Sequence, residues 1–370
     1  MKERKVGRII ILVAFVMLLC MPCIIWKLVG DMFDSSNNEN RYLAEKPVFS
    51  AKDYKLYSAR YTSYFNDHIP FRNYLISFNS AIEYYCLHNS SNRSVIIGKD
   101  GWLFYGGEEE DNPISCYRAD SLYTEAELEE IANHCMEQRD IVEDMGKEFV
   151  IFIAPDKTRI YPEYMPDKYG TPAENYRLLQ VYNYLKENTD IRIVYPYAEL
   201  MDAKGKTDEA IWYKGDTHWN HIGGYVGASA LLTELGIDMP KVYSDDITIS
   251  YNGECSGDLV NMLNLGKDPQ LKDDEYGIIG YDSNDVEKVE WDFFEMIRYH
   301  AIGADPRTIY IIRDSFSSCM SPYIGSQFTD TYLRHEGTYT FDELLEIDPD
   351  IVVYQTIERY LYKLGTFSIQ

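Results

Sequence analysis

EFVIFIAPDK, residues 148–157, is the stretch that decides the fold. Phe149 to Ala154 carry no polar side chain, and a strand that is apolar on both faces needs cover on both sides, as in a parallel sheet flanked by helices. Upstream, TEAELEEIANHCMEQRDIVEDMG (124–146) opens with the capping-box pair Thr124 and Glu127. It keeps an apolar stripe at Leu128, Ile131, Cys135, Ile141 and Met145 until Gly146 ends it. Downstream the alternation repeats, with AENYRLLQVYNYLKEN (173–188) as helix and IRIVYPY (191–197) as strand. IGGYVGASALLTELG (222–236) reads as a helix whose Gly and Ala residues let it lie close on a sheet. TIYIIR (308–313), DTYLRH (330–335) and DIVVYQ (350–355) read as later strands. The expected class is α/β, a doubly wound and mainly parallel sheet. SVIIGKDGWLFYGG (94–107) is a pair of short strands about a turn at Gly98–Gly101, and Trp102 and Phe104 are expected in the core. Residues 241–300, acidic and irregular, read as an insertion that carries surface loops.

The 370-residue chain has a formal charge of −25, which repels nucleic acid at every approach and excludes it as a partner. Its 33 tyrosines mark a packed globular body. At the amino terminus MKERKVGR is followed by eighteen uncharged residues, IIILVAFVMLLCMPCIIW. As a helix these span about 27 Å, enough to cross a bilayer. Basic residues before the run and Asp31, Asp34 and Glu39 after it place the amino terminus in the cytoplasm and the body outside. A cleaved signal peptide is the competing reading, but Leu28-Val29-Gly30 is a poor cleavage site. The expected organisation is a cytoplasmic tail and transmembrane anchor over 1–30, a stalk (33–47) and helical segment over 31–90, and a catalytic domain over 91–370. Within 51–88, Pro70 is expected to interrupt the helix. Cys20 and Cys23 lie in the apolar run. Cys86, Cys116, Cys135, Cys255 and Cys319 form neither a disulfide framework nor a metal knuckle, and read as buried free thiols.

Two short strings carry possible chemistry. In IYIIRDSF, Ser315 follows an apolar strand where a helix should begin, and ligands of open α/β sheets gather at such strand ends. Free N–H groups of that helix start would stabilise an oxyanion; a plain helix cap is the alternative. In GDTHWN (215–220), Asp216 and His218 are two apart, so both side chains can face one way. Asp216 would then hold Nδ1–H and free Nε2 for a serine hydroxyl. The same string also reads as a polar turn, with His218 stacked on Trp219. A metal held by Asp216, His218 and His221 is a third reading, weakened by the lack of neighbouring Cys or Glu. Lys157 and Tyr161 follow a strand and are either cleft residues or packed ones; Asp258, in SGDL, is equally open.

In their order along the chain, NRYLAEKP, YFNDHIPFR, GKDGWLFY, APDKTRIYPEYMP, GDTHWNHIGGYVGA, SGDLVNML and RDSF resemble the SGNH-hydrolase-like proteins of the alginate O-acetyltransferase type and their relatives, the DHHW family. The resemblance covers roughly residues 41–360. It implies Ser315 as nucleophile, His218 as base and Asp216 as its orienting group. It also implies a circularly permuted order, since ordinary SGNH hydrolases place Ser before the Asp–His pair. Two positions depart from the pattern: Arg313 stands where many relatives have Gly, and Thr217 where the family name implies His. The second oxyanion donor is unassigned; Gln355, Tyr323, Lys157 and Arg313 are the secondary candidates for substrate or oxyanion contact.

The activity implied is transfer of an acyl group, acetyl by resemblance, to a cell-surface or exported polysaccharide outside the membrane. No metal or organic cofactor is expected. The implied partners are the polysaccharide acceptor and a polytopic membrane-bound O-acyltransferase that delivers the acyl group. An esterase using the same three residues, and a glycan-binding scaffold without chemistry, are the alternatives.

Overall fold

The computed structural model describes residues 2–29, 32, 42–50, 52–107, 112–282 and 284–370. Most of the expected stalk (33–41) and the acidic residues just past the apolar run lie outside the described residues. The chain divides into two compact units, residues 1–92 with 261–267 and residues 93–260 with 268–370.

In the first unit, α1 (Lys2–Val29) contains Arg8–Val29, with a mean hydropathy of 3.0. Among the described residues it is the helix long and apolar enough to cross a membrane by length and composition. Next come α2 (Tyr54–Asp67) and α3 (Arg72–Ala81), which continues into a π-helical turn, Ile82–Cys86. The break falls at Pro70, where the sequence places it, and Phe71 turns the chain with a φ of 60°.

The second unit begins with the expected hairpin, β1 (Val95–Ile97) and β2 (Leu103–Tyr105), with Trp102 and Phe104 buried. After α4 (Pro113–Arg118) comes α5 (Glu125–Asp144). Its capping box is formed: Thr124 Oγ1 accepts from Glu127 N at 3.3 Å, and Glu127 Oε2 accepts from Thr124 N at 2.7 Å. Then follow β3 (Glu148–Ala154), α6 (Lys157–Ile160), α7 (Arg177–Asn188), β4 (Arg192–Val194), α8 (Tyr197–Lys204) and α9 (His221–Glu234). The rest of the chain forms β5 (Thr248–Ser256), α10 (Asp258–Met262), β6 (Lys272–Ile279), β7 (Asp285–Trp291), β8 (Met296–Ile302), β9 (Asp305–Arg313), α11 (Ser317–Gly325), β10 (Phe328–His335), α12 (Phe341–Ile347) and β11 (Ile351–Ile357).

A seven-stranded sheet in the order β4-β3-β11-β9-β10-β8-β7 forms the middle layer. Strands β4 to β10 in that order are parallel to their neighbours, while β8 and β7 run antiparallel at one edge. Side chains alternate between two cores as strand geometry requires. Val150, Phe152, Ile309, Ile311 and Val353 face the core that includes α9 and α11; Ile151, Ile153, Tyr310, Ile312 and Val352 face the core that includes α5 and α7. That two-sided burial is why Phe149–Ala154 is apolar throughout.

The chain winds outward from β3 to β4 and, on the other side, from β9 to β10, with β11 returning between β3 and β9. The order therefore reverses at β3/β11/β9, and the carboxyl ends of these strands form the crevice in which such sheets bind ligands.

Three expectations need correction. Residues 241–300 are not a system of loops: β5 and β6 pair antiparallel, and β7 and β8 extend the main sheet. The alternation of that stretch is obscured because β7 lies almost wholly exposed and carries polar side chains on both faces. The glycines of α9 lie close not to a strand but to Ile211 and Trp219 and to α11, where a Cβ at Gly224 would lie 2.5 Å from the Cys319 carbonyl oxygen. Among the thiols, Cys116 and Cys135 are buried as expected, but Cys255 and Cys319 are only partly buried and Cys86 is exposed.

Candidate active site

Ser315 occupies the turn between β9 and α11, not the helix cap itself, since α11 starts at Ser317 with Phe316 as its cap. The turn is held from behind. Asp314 Oδ1 accepts from Phe316 N at 2.9 Å, Ser318 N donates to the Ser315 carbonyl at 3.1 Å, and Trp219 Nε1 donates to the Phe316 carbonyl at 2.9 Å. The last bond links the serine turn directly to the histidine loop. The Phe316 amide is thereby occupied, so an oxyanion donor has to come from another group.

The histidine loop is fixed at both ends. Asp273 accepts from Lys214 N (2.6 Å) and Gly215 N (2.8 Å), and Asn220 caps α9 by accepting from Ile222 N and Gly223 N. Trp212 and Trp219 pair across the loop's base. The loop also packs tightly against the SGDL turn: a Cβ at Gly257 would fall 2.0 Å from the Gly215 carbonyl oxygen, so that position must be glycine.

Within this frame Asp216 Oδ1 lies 2.6 Å from His218 Nδ1, and His218 Nε2 lies 2.7 Å from Ser315 Oγ. An ionised carboxylate only accepts hydrogen bonds, so Nδ1 carries the proton and Nε2 is left to accept from the serine hydroxyl. The His218 backbone N–H also donates to Asp216 Oδ1 at 2.9 Å. Burial pushes the Asp216 carboxyl up, but its bonds to His218 and to the Asp258 amide outweigh that and bring it down to about 2. Burial acts to lower His218, yet the bond and charge of Asp216, with the charge of Asp258, carry it above its ordinary value. The arrangement can deprotonate a hydroxyl and hold the resulting imidazolium. The His218 ring rests on Phe316, with centroids 4.8 Å apart, and does not stack on Trp219.

The secondary candidates sit behind these three residues. Lys157 is buried, its ammonium donating to the carbonyls of Leu103 (2.7 Å), Lys214 (2.7 Å) and Asp216 (2.9 Å), so it braces the loop instead of facing a cleft. Gln355 is buried and bonded to Asp314 and Ser317, which commits the amide proposed as an oxyanion donor to the serine turn. Arg313 is fully buried and donates to the Phe293 carbonyl at 2.8 Å. Tyr323 is buried with its hydroxyl 3.1 Å from His221 Nδ1, and the Tyr161 hydroxyl accepts from Ile211 N at 2.9 Å. Their sequence neighbours place all of them at strand or helix ends, but only the fold shows which way each points.

His221 turns to Tyr323 and Glu275, not to Asp216 and His218. The acidic group that joins those two is Asp258, and the three offer ligand atoms within 4.8 Å of one another. These atoms are already engaged in hydrogen bonds among themselves and with the loop backbone. Asp273 and Thr217 also build the site; no pattern in the sequence distinguishes Asp273 from its acidic neighbours.

Residues 95–287 match the domain family described as SGNH hydrolase-like domain, acetyltransferase AlgX. A probable alginate O-acetylase AlgJ of Pseudomonas syringae pv. tomato is 29% identical over 209 residues, 55% of this chain and 49% of its own length. The chain thus spans about half the length of that curated relative. Among solved structures, Bacillus cereus PatB1 with a sulfonyl adduct aligns with a TM-score of 0.51 at 14% identity, covering 74% of this chain and 99% of its own. A DHHW family protein from Eubacterium siraeum aligns with a TM-score of 0.49 at 14% identity, covering 73% and 95%.

Proposed function

The chain belongs to the SGNH hydrolase-like, AlgX acetyltransferase domain family, and from that membership we propose that it is a polysaccharide O-acetyltransferase working through Ser315, His218 and Asp216. The observation that carries the proposal is the unbroken Asp216–His218–Ser315 chain of 2.6 and 2.7 Å contacts at the reversal point of the sheet. In the first half-reaction Ser315 Oγ attacks the acyl carbonyl carbon while His218 Nε2 takes the hydroxyl proton. The tetrahedral intermediate collapses, the leaving group departs with that proton, and the acyl group remains on Ser315. In the second half-reaction His218 takes the proton of a sugar hydroxyl, whose oxygen attacks the acyl-enzyme. The ester forms on the sugar and the proton returns to Ser315. Asp216 keeps the imidazole in the tautomer both halves require.

The name of the curated relative, an alginate O-acetylase, supports a polysaccharide as acceptor. The length and hydropathy of α1 support a single-pass anchor, and the basic residues before its apolar run, with the acidic ones after it, support a body outside the membrane. An extracytoplasmic enzyme needs its acyl donor brought across the bilayer, the task proposed for a polytopic membrane-bound O-acyltransferase.

Purified protein assayed with p-nitrophenyl acetate tests the proposal. Oligosaccharide should accelerate p-nitrophenol release and acquire acetyl groups detectable by mass spectrometry, and Ser315→Ala should abolish both. Release unaffected by sugar, with acetate as the only product, identifies an esterase. Unchanged turnover in Ser315→Ala overturns the proposal.

A further inference from the structure

Asp258 opens α10 on the far side of the histidine loop. Its Oδ1 accepts from Thr217 N at 2.7 Å and its Oδ2 from Thr217 Oγ1 at 2.5 Å. Its own N–H donates to Asp216 Oδ2 at 2.7 Å. Oδ2 stands 3.7 Å from His218 Nδ1, and Thr217 Oγ1, to one side, is 3.2 Å from the same nitrogen. The Nδ1 edge of the imidazole therefore faces two carboxylates, Asp216 in hydrogen-bond contact and Asp258 3.7 Å away.

A structural role alone does not account for an acid here. An asparagine would accept from Thr217 N equally well, and its NH2 would suit the threonine oxygen, without setting a second negative charge beside Asp216. Burial raises the cost of ionising Asp258, and the like charge of Asp216 adds to that cost. What a charge supplies and an amide does not is attraction for the imidazolium that forms when Ser315 loses its proton. The close approach of Gly257 to the Gly215 carbonyl holds the SGDL turn tight enough for this contact.

We propose that Asp258 is a positioning residue of the transfer reaction, holding the histidine loop through the Thr217 amide and hydroxyl and adding a second negative charge on the Nδ1 side of the imidazole. This rests on the acyl-transfer reading of Ser315 given above. The other groups facing His218 are Asp216 and the Ser315 hydroxyl; the positive charge of Arg359 beyond β11, ion-paired with Asp156 at 3.1 Å, acts on it in the opposite sense.

The test is the pH profile of kcat/KM for p-nitrophenyl acetate in full-length wild type, Asp258→Asn, Thr217→Val, Thr217→Ser and Ser315→Ala, with thermal unfolding as the check on folding. Asp258→Asn is expected to lose roughly tenfold or more in kcat at little cost in KM. Its ascending limb moves toward lower pH, because a histidine with less negative charge beside it gives up its proton more readily. Thr217→Val lowers kcat while keeping more of the limb's position, and Thr217→Ser restores it. An inactive Ser315→Ala together with an Asp258→Asn enzyme that keeps the wild-type rate and limb overturns this proposal alone. Activity in Ser315→Ala overturns the acyl-transfer reading and this proposal with it. Where Asp258→Asn does not fold, Thr217→Val decides: wild-type kcat in that variant overturns the role.

Discussion

Gln355 and Asp314 hold each other by two hydrogen bonds, 3.0 Å from the Asp314 amide to Oε1 and 2.7 Å from Nε2 to Asp314 Oδ1, one residue before Ser315. Oε1 also accepts from Ser317 Oγ at 2.7 Å. The end of β11 thus fixes the turn at the end of β9, and with it the direction of the serine hydroxyl.

Removing that clamp leaves the buried Asp314 carboxyl and amide short of partners. Gln355→Ala is expected to cost about 2–3 kcal/mol of stability, read from the urea midpoint, and to lower kcat more than it raises KM.

The pH profile follows from the His218–Asp216 pair. The base acts when neutral, and His218 is raised by Asp216 against the opposing effect of burial. The ascending limb of kcat/KM should therefore lie above the ordinary histidine value of ~6.5. Asp216→Asn removes the charge that favours the imidazolium, so the limb moves to lower pH and the rate falls by roughly 10³–10⁴. Stability carries the opposite signature at the acid end. Asp216 is held at about 2, so its contribution is present above its unfolded value of ~3.9 and is lost as the pH falls toward 2. Denaturant unfolding between pH 2 and 6 measures that loss, and Asp216→Asn should flatten it.

Lys157 tests the brace behind the loop. Burial drives its ammonium down to about 7, against the pull of Asp273, Asp216 and Asp258, while all three N–H donors are used by carbonyls. Lys157→Met strands those carbonyls and should cost ~2–5 kcal/mol along with most of the activity. Lys157→Arg should not rescue it, because a planar guanidinium cannot reproduce three donors converging from a tetrahedral nitrogen. Thermal unfolding and turnover of both variants check this.

Gly224 sets the distance between the helix that follows His218 and the helix that follows Ser315. Its added Cβ would meet the Cys319 carbonyl carbon at 2.6 Å as well as the oxygen at 2.5 Å, and backbone cannot rotate away as a side chain can. Gly224→Ala is expected to cost ~1–3 kcal/mol and to lower kcat through a longer His218–Ser315 contact. A wild-type melting temperature and kcat would contradict it.

Local pattern alone determined much of this protein. The unbroken apolar run Phe149–Ala154, the Thr124–Glu127 cap and the alternation that follows specify a covered parallel sheet, because burial on two faces and the four unpaired N–H groups at a helix start are constraints on neighbouring residues. The spacing of Asp216 and His218 is local in the same sense. Strand β7 escaped that reading because an edge strand exposed to water has no need of an apolar pattern, and β8, buried between β10 and β7, was passed over with it. Only the tertiary structure decided that Ser315 meets His218 across 97 residues of chain, that Asp258 joins them while His221 turns away, and that Lys157, Arg313, Gln355 and Tyr323 point inward. Such choices depend on where separate strand ends converge and which carbonyls or carboxylates lie within hydrogen-bond reach there, and that is a property of the packed sheet, not of any one segment.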